Sequence, residues 1–385
     1  MFSILIVVIY LAFISLGLPD SLLGSAWPVM QPELQAPLSF AGVLTMIISG
    51  GTIVSSLFSE RLTRKLGAGL VTSVSVAMTA VALFGFSKAP SLGVLCLWCI
   101  PYGLGAGAVD AALNNYVALH YSGRHMSWLH CMWGVGTAIS PYIMSACMAG
   151  PAGWRGGYST ISILQVVLTA ILFISLPLWK KDGGAQEGEE PPKSPGLTNA
   201  LRIPGVPYVL LAFLSYCAME STCGLWASTY MVNHLHVDTE TAARFASLFY
   251  LGITFGRFLN GFAADKAGDK ALVRLGCCIV LVGIAMVAIP FGTSTIPLAG
   301  LVVIGLGCAP IYPCLIHATP VNFGRENSQA IVGIQMASAY VGSTFMPPVF
   351  GLLAGSISIA LYPFYMALFA LLMLLMTEKL NRATR

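Results

Sequence analysis

Residues 157–179 read GYSTISILQVVLTAILFISLPLW, and residues 180–193 that follow read KKDGGAQEGEEPPK. The first stretch carries no charge. Its length matches the roughly 20 apolar residues, about 30 Å of helix, that cross a hydrocarbon layer. The second is charged, rich in Gly and Pro and poor in apolar residues, which predicts a flexible tether without a core of its own. Outward from this junction, apolar runs of the same kind lie near 3–28, 39–59, 68–87, 92–118 and 127–150, and then near 206–233, 242–263, 272–292, 295–318, 328–355 and 358–377. They do not alternate in the segments of about ten residues that build membrane barrels. The expected fold is an all-α membrane protein. Twelve transmembrane helices form two pseudo-symmetric six-helix bundles, residues 1–179 and 205–385, joined by a cytoplasmic linker at 180–204.

Composition agrees. Of 385 residues, 57% are hydrophobic and 9% charged, against about 25% charged in soluble domains. The net charge of +4 is too small and dispersed for a nucleic-acid footprint. No His or Cys spacing fits a metal site. Cys96/Cys99 and Cys277/Cys278 lie inside apolar runs and read as packing residues. Gly103-x-Gly105-x-Gly107 follows no strand and reads as a packing or bending device, and no Walker-A loop occurs. No cofactor is called for, and no Ser/His/Asp set points to an enzyme. The first run lacks a basic start and a cleavage site and reads as a retained helix.

Basic residues concentrate in cytoplasmic loops. With the N-terminus in the cytoplasm, sixteen of the nineteen Lys and Arg fall inside, Arg257 among them, leaving Lys88, Arg155 and Arg244 outside. Both termini are then cytoplasmic.

The halves repeat one another at an offset near 200. Asp20-Ser21-x-x-Gly24 answers Glu220-Ser221-x-x-Gly224, and Gly103-Leu104-Gly105 answers Gly305-Leu306-Gly307. Gly136 and Pro141 answer Gly342 and Pro347. Glu60-Arg61 and Arg64-Lys65 answer Asp265-Lys266 and Lys270. Four matches in one order argue for duplicated halves, a plan common to secondary transporters.

The loop Gly261-Phe262-Ala263-Ala264-Asp265-Lys266-Ala267-Gly268-Asp269-Lys270 resembles the G-x-x-x-D-[RK]-x-G-x-[RK] motif of the major facilitator superfamily. Ser56-x-x-x-Glu60-Arg61 with Arg64 and Lys65 reads as a degraded copy. The acid of such a loop can accept hydrogen bonds from a neighbouring helix N-terminus, where the helix dipole favours negative charge. Glu60, Arg61, Arg64, Asp265, Lys266 and Lys270 are therefore candidates for a cytoplasmic latch that holds the outward-open state; topology anchoring is the plainer alternative.

Three acids, Asp20, Asp110 and Glu220, lie within apolar runs. Each ionised acid at mid-bilayer costs about 2.5–3.5 kcal/mol, and no Lys or Arg is expected at comparable depth. The acids should therefore sit in a wet cleft between the bundles and take up and release protons. A protonated acid bonded to a neighbouring helix is the alternative. Pro19 removes a backbone bond beside Asp20 and predicts a bend. Gly103, Gly107, Asp110 and Asn114 share one helical face.

Asp110-Ala111-Ala112-Leu113-Asn114 resembles the acid-x-x-x-Asn stretch of the fucose/galactose/glucose–proton symporters, with Asp in place of the Glu familiar in fucose permeases. Asp20 matches the acid of their first helix. Asn114-Asn115-Tyr116-Val117-Ala118 and His125-Met126-x-Trp128-Leu129-His130 with Trp133-Gly134 also look like that group. The resemblance implies proton coupling and sugar binding at the two acids, a small-molecule solute and protons as partners, and function as a monomer in the cell membrane.

Amides suit sugar hydroxyls and aromatic rings suit the apolar sugar face. Candidate solute contacts are Trp27, Asn114, Trp133, Trp226, Tyr230, Gln335 and Tyr340. His130 reads as a proton relay or as a satisfied helix-end residue. Three function classes follow: a proton-coupled sugar importer, with sodium as the variant coupling ion; an exporter, since Gly136-x-x-x-Ser140-Pro141 resembles a stretch of proton-driven antiporters; and a transport-incompetent sensor, whose mark would be a large soluble extension that neither end offers.

Overall fold

The computed structural model describes residues 4–37, 40–179, 199–289 and 294–384. The linker through residue 198, the side chain of Arg244, and Arg385 lie outside the described residues. Apolar helix formers set the elements, and Gly and Pro end or interrupt them. In order these are α1 (Ile4–Gly17), α2 (Leu22–Glu33), α3 (Phe40–Leu66), α4 (Ala68–Lys88), α5 (Leu92–His120), α6 (Gly123–Met148) and α7 (Gly153–Ser175). Then follow α8 (Val206–Asn233), α9 (Thr239–Ala267), α10 (Asp269–Ala288), α11 (Thr295–His317), the short α12 (Thr319–Phe323), α13 (Arg325–Ser356) and α14 (Tyr362–Ala383). Among the described residues none forms a strand.

Among the described residues, nine helical segments are long and apolar enough to cross a bilayer, α1 and α2 counting as one, Ile4–Trp27. The runs near 127–150, 242–263 and 328–355 form α6, α9 and α13, of 26, 29 and 32 residues. These are long enough to span but more polar, and they carry His130, Arg257 and Gln335. The interruption between α1 and α2 falls at Leu18-Pro19-Asp20-Ser21, as the missing proline N–H requires.

Contacts divide the chain into two compact units, Met1–Tyr116 with Met132–Ser194, and Val117–Cys131 with Pro195–Arg385. A cut at the 180–204 linker would leave Val117–Cys131 with the first bundle; its contacts place it with the second unit.

Within each unit the same two helix pairs meet through glycine. In the first, Gly103 of α5 lies against the Ile48 carbonyl of α3, and Gly136 of α6 against the Ile14 carbonyl of α1. In the second, Gly305 of α11 meets the Phe249 carbonyl of α9, and Gly342 of α13 meets the Leu214 carbonyl of α8. Small residues let membrane helices approach to backbone distance, and repetition of both contacts makes the duplication structural. Gly136→Val should therefore cost about 1–3 kcal/mol by overpacking, whereas Gly24→Ala, where a methyl meets open space, should be nearly neutral. Thermal unfolding of the purified protein measures both.

The turns after α3 and α9 correct the register of the loop motif. Gly67 (φ 80°, ψ 155°) starts α4 and Gly268 (φ 77°, ψ 153°) starts α10. Aligning these two left-handed glycines sets Glu60 opposite Gly261 and Arg64 opposite Asp265. The first loop is thus one helical turn out of step with the motif alignment of Glu60 on Asp265, because the turn falls at Gly67, four residues past Thr63, where the motif would turn.

At one end of the first unit, Trp154 Nε1 donates to Glu33 at 2.7 Å and Arg155 pairs with the same carboxylate. Arg155 also donates to the Ala89 carbonyl and lies over the Trp154 ring. The Arg155 hydrogen bond first, then that of Trp154, holds the Glu33 carboxyl below the ordinary carboxylate range. A lowered folded-state pKa stabilises the fold above the unfolded pKa and loses that effect as pH falls through the folded value. Glu33→Gln should lower stability at neutral pH by no more than about 1 kcal/mol, since both side chains are partly exposed. The difference should shrink in acid, as pH falls through the lowered folded-state value and the wild-type carboxyl is also protonated. Melting curves at neutral and acid pH test this.

Candidate functional site

In the first unit Asp20 lies in the break between α1 and α2, and the residue is accessible at the surface although it lies within a span. Trp133 Nε1 of α6 donates to one carboxylate oxygen at 2.8 Å, and the Tyr102 hydroxyl of α5 donates to the other at 3.3 Å. Three local features hold this geometry. Gly17 packs on the Trp133 backbone, Ser21 Oγ donates to the Thr137 carbonyl at 2.8 Å, and Phe86 meets the Tyr102 ring edge-on. An accessible acid flanked by an indole and a phenol can exchange a proton and offers aromatic surface beside it.

Asp110 is a different kind of acid. It is 5% exposed, and Asn114 Nδ2 donates to its carboxylate at 2.7 Å. Gly107, one turn earlier, packs against Thr52 and Ser55 of α3. The shared face of Gly103, Gly107, Asp110 and Asn114 is therefore a helix–helix contact in this state. At 1.5 Å per residue, Asp110 stands about 12 Å along α5 from Tyr102, so the two acids do not form one site. Asn114 is fully buried with its amide engaged, and Trp27 packs in an apolar cluster with Leu22, Met30 and Trp154. Of the solute contacts expected in this unit, only Trp133 stands beside an accessible acid.

The second unit overturns one expectation outright. Glu220 of α8 does have a cation: Arg257 Nη2 of α9 lies 3.9 Å from its carboxylate. Arg257 is 3% exposed and sits eight residues, about 12 Å, along α9 from Asp265. It belongs to the interior rather than to the cytoplasmic count, which falls from sixteen to fifteen. The reason is that α9 runs on to Ala267, beyond the apolar run that ends near 263. Tyr216, one turn before Glu220, interacts with both members of the pair and donates to the Cys308 carbonyl at 3.2 Å. The Tyr312 ring stacks near Tyr216 and Phe213 and meets His130 edge-on at 4.9 Å.

The other candidates lie apart from this cluster in role. Trp226 donates to the Pro347 carbonyl and packs on Phe350, and Tyr230 is buried against Tyr362. Gln335 is fully buried. Its Oε1 accepts from Thr319 at 2.9 Å, while its Nε2 has no hydrogen-bond partner. Tyr340 is half-buried on α13.

At the loop motif, Asp265 accepts from the Arg124 backbone N–H in the first turn of α6 at 3.1 Å and from Ser122 Oγ at 3.3 Å, and it pairs with the Arg124 guanidinium. The acid thus caps a neighbouring helix N-terminus, as dipole electrostatics favour. Deeper along the same contact, Trp128 Nε1 donates to the Phe258 carbonyl with its indole laid over Gly261, and Asn260 donates to Ser127 at 2.7 Å. Glu60 instead pairs with Arg64 on its own helix at 3.6 Å, and Arg61 lies by the Phe58 ring. Lys266 and Lys270 are exposed. Asp265→Ala should let the first turn of α6 fray, seen as faster amide exchange over residues 121–127, with α4 unaffected.

Sequence reasoning missed Tyr102, Tyr216 and Tyr312 as parts of these sites. Tyr216 carried a local sign, four residues before Glu220 on one face. Nothing in the linear pattern joins Tyr102 to Asp20.

The sequence profile described as Major Facilitator Superfamily matches residues 9–316 and 208–382. An uncharacterized transporter of Sinorhizobium fredii is 25% identical over 371 residues, 92% of each chain. The glucose/mannose transporter GlcP of Bacillus subtilis is 20% identical, covering 88% of this chain and 84% of its own. Among solved structures, FucP in its outward conformation, the fucose:proton symporter of E. coli, superposes with a TM-score of 0.81 at 14% identity, covering 97% of this chain and 98% of that one.

Proposed function

Because the chain belongs to the Major Facilitator Superfamily, a family of multi-pass membrane transporters, we propose that it is a secondary active transporter of the cytoplasmic membrane that couples proton entry to uptake of a sugar or sugar-like solute by alternating access. In this reading twelve helices span the bilayer, with both termini in the cytoplasm. The observation that carries it is Asp20, an accessible carboxylate within a span, held by Trp133 Nε1 and the Tyr102 hydroxyl. A span does not tolerate such a group without water or a partner, and its neighbours suit both a proton and a sugar ring. The sugars named for GlcP and FucP support the solute class. Asp110, locked to Asn114, serves in this reading as a second titratable group that must open before it can exchange a proton.

The test is uptake of labelled hexoses into proteoliposomes with and without an imposed pH gradient, acid outside. Accumulation only with the gradient supports symport. Accumulation driven equally by a sodium gradient at matched pH replaces the proton by sodium, and efflux driven by inward protons replaces symport by antiport.

A further inference from the structure

The pair Glu220–Arg257 has no counterpart in the first unit. With Gly67 set on Gly268, the position of Arg257 is taken by Ser56, whose hydroxyl donates to the Gly107 carbonyl at 3.2 Å. The duplicated fold therefore packs this helix contact without a cation. Asp20, the repeat partner of Glu220, is bonded by an indole and a phenol instead. The arginine is an addition that packing alone does not require.

Its geometry is that of a held anion rather than a closed fork. The nearest nitrogen–oxygen separation is 3.9 Å, beyond hydrogen-bond range, whereas Arg and carboxylate in full engagement form two short parallel bonds. Exposure is lopsided: the Glu220 side chain retains 17% and that of Arg257 4%. The acid is thus the reachable member, with the guanidinium behind it. Arginine does not lose its proton in proteins, so a buried guanidinium needs an anion beside it at every stage of a transport cycle.

We propose that Arg257 recognises an anionic group on the solute, so that the substrate class is a sugar acid bearing one carboxylate, which takes the place of Glu220 as Glu220 takes up a proton. The inference rests on the reading of the chain as a proton-coupled symporter of sugar-like solutes, and deepens it. The balance closes. Before binding the site holds Arg257 positive and Glu220 negative. After binding it holds Arg257 positive, the solute carboxylate negative and Glu220 neutral, so one anion and one proton enter together. Around Glu220 the ionisable neighbours are Tyr216 and Cys223 of α8, Tyr250 of α9 and Cys308 of α11. His130 of α6 and Tyr312 of α11 flank Arg257. Among these described neighbours no second carboxylate competes for the proton.

Purified full-length protein in detergent is titrated with D-glucuronate, D-gluconate and D-glucose, reading thermal stabilisation. Proton uptake on adding each acid is followed with an indicator dye in weak buffer. Wild type should bind at least one acid about tenfold or more tightly than glucose, as a two-point arginine contact requires. It should take up about one proton per acid bound, and its affinity should fall by up to about tenfold per pH unit above the point where Glu220 ionises. Glu220→Gln should keep acid binding and lose both the proton uptake and the pH dependence. Arg257→Lys, which keeps the charge but not the fork, should weaken acid binding by about tenfold. If Arg257→Lys does not fold, Glu220→Gln decides alone. Binding of neither acid, equal binding of glucose, or undiminished proton uptake in Glu220→Gln overturns the proposal. Gradient-driven glucose uptake at the wild-type rate by Glu220→Gln vesicles overturns it while leaving the symporter reading intact. Anion-linked proton uptake in detergent, without gradient-driven transport of any of the three, upholds the anion site and removes the symporter reading.

Discussion

Asp20→Asn vesicles will equilibrate a neutral hexose across the membrane and will not concentrate it. The substitution is nearly isosteric, and the side-chain carbonyl still accepts from Trp133 Nε1, the shorter of the two bonds at 2.8 Å. The α1–α2 break and its packing on α6 do not depend on charge, since they rest on Pro19, Gly17 and the Ser21 hydroxyl. What disappears is the group that binds and releases a proton. A gradient of one pH unit stores about 1.36 kcal/mol per proton, enough for roughly tenfold accumulation with one proton per solute. Wild type should approach that ratio, and the variant should stay near unity. Exchange of labelled for unlabelled solute at equal pH should persist in both. If Asp20→Asn loses exchange as well, the residue binds solute rather than coupling protons.

Arg257→Ala should strongly destabilise the second unit. It leaves Glu220 beside α9 without its cation. Breaking one side of a buried pair costs about 3–5 kcal/mol, while replacing both members is far milder. Glu220 keeps some solvent access, which places the expected loss near the lower end, about 3 kcal/mol. The double variant Arg257→Gln/Glu220→Gln should recover more than half of it. Thermal unfolding of the purified protein distinguishes this from additive behaviour, in which the double variant is worse than either single one.

Local chemistry made much of this architecture legible. Pro19 predicted the interruption beside Asp20, and Gly103 reads as a packing residue; Gly136, Gly305 and Gly342 are marked in the sequence only as repeat positions, and each meets a carbonyl of another helix. Asp265 at a neighbouring helix N-terminus followed from the dipole argument. The failures share a cause, which is that helix ends are poorly marked by apolarity. α9 continues four residues past its apolar run, so Arg257 lies inside rather than at the rim. α3 likewise runs past Thr63 to Leu66, so Glu60 meets Arg64 instead of capping another helix. Asp110 and Asn114 were read as one face, and so they are, but nothing in the spacing tells whether that face meets water or α3. That depends on Gly103 and Gly107 admitting α3 to backbone contact, a property of the packed pair.

Exposure separates the three acids more sharply than sequence position does. Asp20 is accessible at the surface, Asp110 is closed on an amide, and Glu220 is held by a cation. The proposed coupling through Asp20 rests on that ordering, because a group must reach water on at least one side to load a proton.

Solute-induced pH change in lightly buffered vesicles puts that assignment to the sharpest test. Adding D-glucose, which carries no anion to displace Glu220, outside wild-type vesicles should make the external medium transiently alkaline as protons enter with it, and Asp20→Asn vesicles should give no such signal while still admitting glucose. An undiminished alkaline transient in Asp20→Asn would contradict the account.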